Sequence, residues 1–400
     1  MRSFISLEEA INILNQKVMS LDVEEVDLLK GLNRVTSESI YSEINNPPFN
    51  KSAMDGYAIR AEDGFINNKI KVIDKVFAGG VSNKTVGKNT AIRIMTGAPI
   101  PEGSDAVIKQ EDVIKDEDYI IVRKEIKEKE NVCIKGEDIS VGSLLIKSNK
   151  KLDYADIGIL ASAGITKVKV FKKPKIGFIS TGDEVVDVGS NLKFGKIYNS
   201  NKYSIISRIL ELGYEVSEIH HINDDYREIG KFIENISEEL DLIITTGGVS
   251  VGEKDLLKEA INVTTGEKFF WKITIKPGSA VLCSKVNNSI VISLSGNPTA
   301  ALTTFELLGK TSLEKLSGLG EIKIKREEAI LKEATIKKGF KHRFLRGYYR
   351  IEDSKQYVYL TQKKSGNGIL SSAINSNCII EINANDEEKL TGDIVNIIKL

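Results

Sequence analysis

Behind Ser6-Leu-Glu-Glu9, a capping-box signature, apolar residues recur at Ala10, Ile11, Ile13, Leu14 and Val18, a spacing that predicts a helix. Pro47-Pro48 breaks that period. From there to about residue 138, short runs such as Lys69 to Phe77 and Ala91 to Met95 read as strands between Gly and Pro turns. A helical segment returns over Asp153 to Ala163, and Pro174 marks a junction. The pattern then alternates: strand Ile176 to Ser180, helix Ser204 to Leu212, strand Tyr214 to His220, helix Ile229 to Leu240, strand Leu242 to Thr245 and helix Lys254 to Ile261. Strands around Trp271 to Ile275 and Ile290 to Leu294 and a helix from Thr299 to Leu308 complete it. Such alternation predicts a three-layer α/β domain on a mostly parallel sheet, where ligands bind at the carboxyl ends of the strands. Tyr348 to Ile351, Tyr357 to Gln362 and Ile394 to Ile398 read as strands of a C-terminal β domain. The expected division is an N-terminal helical linker domain (1–45 and 139–170), an inserted small β domain (46–138), the α/β domain (171–318) and the C-terminal β domain (319–400).

Composition supports several cores: 400 residues with 41% hydrophobic content exceed one comfortable domain. Lys+Arg and Asp+Glu both number 56, and no long block of one sign stands out, which argues against nucleic acid as a partner. The N-terminus lacks the apolar core of a signal peptide, and no stretch approaches the ~20 apolar residues of a membrane span, so a cytosolic protein without a membrane partner is expected. Cys133, Cys283 and Cys378 are scattered, without metal-site or disulfide spacing, and read as structural thiols. With only His220, His221 and His342 present, acidic residues must carry more of any chemistry.

The run from Asp241 to Asp255 carries an apolar strand into Gly247-Gly-Val-Ser250-Val-Gly252 and then an acidic helix. Glycines let backbone N–H groups approach a phosphate, and the helix adds its positive dipole end. This is no Walker loop, because Glu253, Lys254 and Asp255 stand where Lys and Ser/Thr would be needed. Carboxylates beside a phosphate cradle repel the ligand unless a divalent cation bridges them, so the run indicates a metal-assisted phosphate site. A surface loop with chance acids is the bland alternative. Ser180-Thr-Gly-Asp-Glu184, Asn223-Asp-Asp225 and Leu294-Ser-Gly-Asn-Pro298 end neighbouring strands, so Glu184, Asp224 and Asp255 are expected to converge around Mg²⁺. Alternation in Trp271-Lys-Ile-Thr-Ile-Lys276 puts Lys272, Thr274 and Lys276 on one face, with the two ammonium groups two pleats apart. That pair suits an oxyanion, or equally protects a solvated edge strand. In the inserted region, Ser52-Ala-Met-Asp-Gly-Tyr57, Thr96-Gly-Ala98 and Gly136-Glu-Asp138 each read as a polar turn.

Together, Pro47-Pro-Phe with Ser52-Ala-Met-Asp-Gly-Tyr57, Thr96-Gly-Ala98, Gly136-Glu-Asp138, Ser180-Thr-Gly-Asp-Glu184, Gly247-Gly-Val-Ser-Val-Gly252 and Lys276-Pro-Gly278 resemble the MoeA family, the molybdopterin molybdenumtransferases, to which the gephyrin E domain also belongs. The resemblance runs in order from the first helix to the last strand. It implies an elongated four-domain subunit pairing into a homodimer, with a cleft between the α/β molybdopterin-binding domain of one subunit and parts of the other. The implied reaction inserts molybdate into adenylylated molybdopterin, with Mg²⁺-dependent release of AMP. Asp55, Thr96, Asp138, Glu184, Asp224 and Asp255 would be the catalytic set, the last three holding Mg²⁺. Gly247, Gly248, Ser250, Gly252, Lys272, Lys276, Asn297 and Pro298 would bind substrate, joined by Arg346 and Ser371 from the C-terminal domain. Partners from the same cofactor pathway, such as the adenylyltransferase, are implied too. The sequence departs from the family at Ser295, where proline is usual, at Ser279-Ala280 for a frequent Lys-Pro, and at Asn50-Lys51 for the commoner Asp-Asn. Two other functions fit parts of the pattern. A molybdopterin adenylyltransferase shares the α/β domain but is small and single-domain, and a gephyrin-like scaffold needs a second module absent from this sequence.

Overall fold

Ser6 caps the first helix, Leu7–Lys17, its hydroxyl accepting from Glu9 N at 3.0 Å. The Glu9 carboxylate turns instead to Arg2, 2.7 Å away. The apolar stripe Leu7, Ala10, Ile11 and Leu14 is buried. The computed structural model describes residues 1–249, 256–361 and 369–400. They fall into two compact units, one of residues 1–24, 33–37 and 170–400, the other of residues 25–32 and 38–169.

The first unit contains a seven-stranded sheet in the order Val216–Ile222, Ile176–Thr181, Leu242–Thr246, Ser289–Leu294, Val281–Val286, Glu267–Ile273 and Arg2–Ile5. The first four strands of that order run parallel. Val281–Val286 runs antiparallel to both neighbours, and Arg2–Ile5 adds a parallel edge strand. The buried runs Ile176–Thr181, Leu242–Thr246 and Ser289–Leu294 are apolar on both faces because helices cover both. One face packs on Leu7–Lys17, Ser200–Glu211 and the long helical segment from Pro298; the other packs on Tyr226–Ile236 and Leu256–Asn262. Two strands were not legible: Arg2–Ile5 is too short to show a period, and Val281–Val286 is buried without alternation except at Lys285.

Helix starts differ from expectation where a cap decides them. Asn199 accepts from Lys202 N at 3.0 Å and starts its helix at Ser200 rather than Ser204. Asp225 accepts from Arg227 N and Glu228 N, starting the next helix at Tyr226 rather than Ile229. The segment expected as one helix from Thr299 to Leu308 is α-helical over Pro298–Thr304, π-helical over Phe305–Gly309 and α-helical again over Lys310–Leu316. Strands Glu327–Lys332, His342–Glu352, Lys355–Leu360, Cys378–Ile382 and Ile394–Lys399 close on themselves into a small barrel, with Ile275–Lys276 added beside His342 and Arg343.

The second unit holds a six-stranded sheet in the order Ala106–Lys109, Gly56–Ile59, Thr90–Ile94, Lys69–Val76, Tyr119–Val122 and Val113–Asp116. Tyr57, Ile59, Ile70, Ile108 and Ile120 fill its core. The helix Tyr154–Ser162 carries a full capping box, Asp153 and Asp156 each accepting from the other's backbone N–H.

Candidate active site

Parallel register brings the polar strand ends to one edge. Thr181 lies opposite Ile222, Ser180 opposite Thr246, and Thr246 opposite Leu294. The loops that follow carry Asp183 and Glu184, Asp224, Gly247 and Gly248, and Asn297. Gly247 adopts φ 98° and Gly248 φ 63°. A Cβ on Gly247 would lie 2.5 Å from Thr181 O, and one on Gly248 would lie 2.4 Å from Leu257 Cδ2, so glycine is required at both. Gly247 N donates to Leu294 O at 3.2 Å, tying this turn to the next strand end. Ser250, Gly252 and Asp255, together with the expected start of the helix at Lys254, lie outside the described residues.

These loops are stitched together by polar contacts, in which Asn199 and Asn201 are residues not singled out by sequence. Asp183 Oδ1 accepts from Asp224 N at 3.1 Å, which places Asp224 on the Ser180–Glu184 turn. Asn199 Nδ2 donates to Ser180 Oγ at 2.8 Å, and Ser180 Oγ meets His221 Nδ1 at 3.0 Å. Asn201 Nδ2 donates to Gly296 O at 2.8 Å. Asn199-Ser-Asn201 ahead of an apolar helical stripe was the readable signal for a cap there. Asn297 accepts from Thr299 N and Ala300 N, and Pro298 occupies the first helical turn, so this pair fixes a helix start. Glu184 is exposed and Asp224 half-buried. Among the described residues, the one trio of metal-ligand type within 4.8 Å is elsewhere: Glu8, His342 and Glu381. Arg326 already grips both carboxylates of that trio.

The Trp271–Lys276 segment departs from strict alternation. Lys272 takes a left-handed φ of 64° and is only 4% exposed, while Thr274 and Lys276 point outward opposite the buried Ile273 and Ile275. The expected cationic face therefore has one exposed lysine, Lys276, and one folded inward, Lys272. The Lys272 ammonium lies over the Trp271 ring, 3.7 Å from its centroid, and 5.3 Å from that of Phe4. Among the described residues it has no carboxylate or hydrogen-bond partner. Register places it at the same sheet edge: Trp271 lies opposite Leu282, Leu282 opposite Ser293, and Ser293 opposite Thr245.

Arg346 sits on the barrel strand His342–Glu352, 9% exposed, and its Nη2 finds no hydrogen-bond partner among the described residues. Burial pulls its pKa down, against the opposing field of Glu306, whose two oxygens are taken by Arg208. Ser371 is exposed on the turn Leu370–Ala373.

In the second unit Asp55 and Thr96 are brought together. Thr96 N and Thr96 Oγ1 both donate to Asp55 Oδ1 at 2.8 Å, and these bonds hold the carboxyl below its usual range. Asp138 is held separately, by Asn46 Nδ2 at 3.3 Å and by its own N–H to Asn46 O.

Comparison with known proteins matches residues 5–164 to the MoeA N-terminal region (domains I and II), 177–315 to a probable molybdopterin binding domain and 328–400 to the MoeA C-terminal region (domain IV). A molybdopterin molybdenumtransferase of Haemophilus influenzae is 36% identical over 396 residues, 98% of each chain. One from Staphylococcus aureus is 35% identical over 402 residues, 99% of this chain and 96% of that one. A crystal structure of a molybdopterin biosynthesis MoeA protein from Pyrococcus horikoshii superimposes with TM-score 0.84 at 31% identity, covering 99% of this chain and 100% of that one.

Proposed function

This chain belongs to the MoeA family, and on that premise we propose that it is a molybdopterin molybdenumtransferase of molybdenum cofactor biosynthesis. The reaction assigned is insertion of molybdate into adenylylated molybdopterin with release of AMP. The observation that carries it is Lys272. A nearly buried ammonium that finds no anionic partner among the described residues is costly unless an anion is supplied, and this one stands at the sheet edge where the turn Gly247-Gly248 ends its strand. A pyrophosphate at that edge would meet this positive charge.

Glu184 and Asp224 present hard oxygen donors on the same edge, a set that suits Mg²⁺, which keeps most of its waters and binds through one or two carboxylates plus substrate phosphates. When bound, the ion would offset pyrophosphate charge as AMP leaves. Asp255 is assigned with them by its place in the sequence. Lys276, Arg346 and Ser371 join Lys272 in steadying molybdate oxygens, and the dithiolene sulfurs of the substrate ligate the incoming metal, a soft donor matched to a thiophilic centre. The chain's own work is mainly positioning. We take the working assembly to be a homodimer, with Asp55, Thr96 and Asp138 serving the α/β edge of the partner.

The test is AMP release from adenylylated molybdopterin by the purified protein with Mg²⁺ and molybdate. Asp224→Ala and Asp255→Ala should each slow it by about 100-fold or more. Undiminished release in both variants would sink the metal assignment. Consumption of ATP with unmodified molybdopterin, and no need for the adenylylated form, would reassign the protein to nucleotidyl transfer.

A further inference from the structure

Lys272 is not the only cation on the Trp271 ring. Lys258, two residues into the helix Leu256–Asn262, places its Nζ 4.6 Å from the same centroid. Among the described residues this ammonium has neither a carboxylate nor a hydrogen-bond partner. Glu259 beside it accepts from Asn262 Nδ2 at 3.0 Å. Both ammonium groups are thus drawn to one indole, each by its own cation–π contact.

The backbone there is also held away from its preferred conformations. Lys272 is left-handed at φ 64°, and Phe4, at the facing position between the pairs Ser3/Trp271 and Ile5/Ile273, is left-handed at φ 56°. Bulky side chains avoid this region, and strain of this kind gathers where a ligand is held. Its effect is visible: the turn at Lys272 breaks the alternation, folds the side chain inward and sets its ammonium on the ring of the preceding residue.

We propose that Lys258, Trp271 and Lys272 form an oxyanion clamp in which the indole positions two ammonium groups to close on one phosphate or molybdate group of the substrate. Lys258 is the binding residue that neither sequence motif nor family comparison singled out, and Trp271 is a positioning residue. The assignment rests on the reading that this sheet edge takes the anionic substrate, and it names the groups that hold the anion.

Trp271 is the sole tryptophan among the 400 residues, so intrinsic emission reports on the clamp directly. Drawing an ammonium from the ring face onto an anion should alter that emission. Titration of the full-length protein with inorganic pyrophosphate, and separately with molybdate, should give a saturable change, and the tighter of the two identifies the anion held. Lys258→Gln should weaken that binding about tenfold, as loss of one charge-assisted contact does. Lys258→Arg should recover most of it, and Lys231→Gln, an equal charge change on the exposed face of Tyr226–Ile236, should leave it unchanged. The clamp is overturned if the wild-type emission does not respond, if Lys258→Gln binds like wild type, or if Lys231→Gln weakens binding equally. Parallel AMP-release assays separate the two readings. Lys258-dependent anion binding without AMP release keeps the clamp and removes the transferase reaction, whereas AMP release with binding indifferent to Lys258 does the reverse.

Discussion

Replacing Glu381 by glutamine should destabilise the protein at neutral pH and matter far less in acid. Glu381 lies on the barrel strand Cys378–Ile382 and is 4% exposed. Burial alone would raise its pKa. Hydrogen bonds from His342 Nε2 at 2.9 Å and from Arg326 Nη2 at 2.8 Å, with the Arg326 charge, overcome burial and hold the carboxyl down at about 2 against an ordinary 4.5. A depressed carboxylate contributes stability that is present above the unfolded-state pKa and lost as pH falls toward the folded one. The shift of roughly 2.5 units corresponds to about 3 kcal/mol at pH 7, of which about 2 kcal/mol is gone by pH 3. Glu381→Gln keeps the side-chain volume but leaves the Arg326 guanidinium against a neutral amide. Its deficit relative to wild type should therefore be about 3 kcal/mol at pH 7 and about 1 kcal/mol at pH 3. Scanning calorimetry at both pH values measures this. Because two compact units need not unfold together, the transition to follow is the one the substitution moves, by roughly 5–10 °C at pH 7. An equal deficit at both pH values would show that packing rather than charge is responsible, and no deficit at pH 7 would refute the network outright.

Thr96→Val should move the titration of the Asp55 carboxyl upward toward its ordinary range, because the hydroxyl hydrogen bond that helps hold it down is gone; carbon-13 NMR of the side chain reads this, and an unmoved midpoint would deny the contact. Gly247→Ala should cost about 1–3 kcal/mol and abolish AMP release, since a Cβ would meet Thr181 O at 2.5 Å in a left-handed turn; full activity with an unchanged melting point would contradict the turn. Asp225→Ala should cost about 1 kcal/mol by removing the acceptor for Arg227 N and Glu228 N, measured by thermal unfolding and refuted by wild-type stability. Native protein at pH 8 should react with a thiol reagent at Cys133 alone, because Cys283 is fully buried and burial pushes Cys378 up to about 12; rapid labelling of all three without denaturant would count against both.

Much of the site's frame was readable before any coordinates. Leu242 to Thr245, followed by two glycines, could only be a buried strand entering a tight turn, and both glycines do take left-handed conformations. Lys272 was not readable. Alternation predicts a solvated face, and nothing local announces that the facing strand comes from Arg2–Ile5, more than 260 residues earlier, or that Phe4 and Lys272 turn together. Lys258 was missed because a lysine on an amphipathic helix normally reads as solvated; only packing of Leu256–Asn262 against Trp271 gives it a ring to meet. Asn199 and Asp225 lay in view, but their roles as caps depend on which side chain reaches the free N–H groups, and that moved two helix starts by three or four residues.

By itself the sequence determined the order of elements, the apolar strands and the glycine turns, because period and backbone permissiveness are local properties. Tertiary structure alone decided which polar ends share an edge and which charges are buried. Register between strands distant in the chain, and burial against helices from elsewhere, are set by the whole fold, so Lys272 acquires its left-handed backbone and nearly buried ammonium only once the seven-stranded sheet has closed around it.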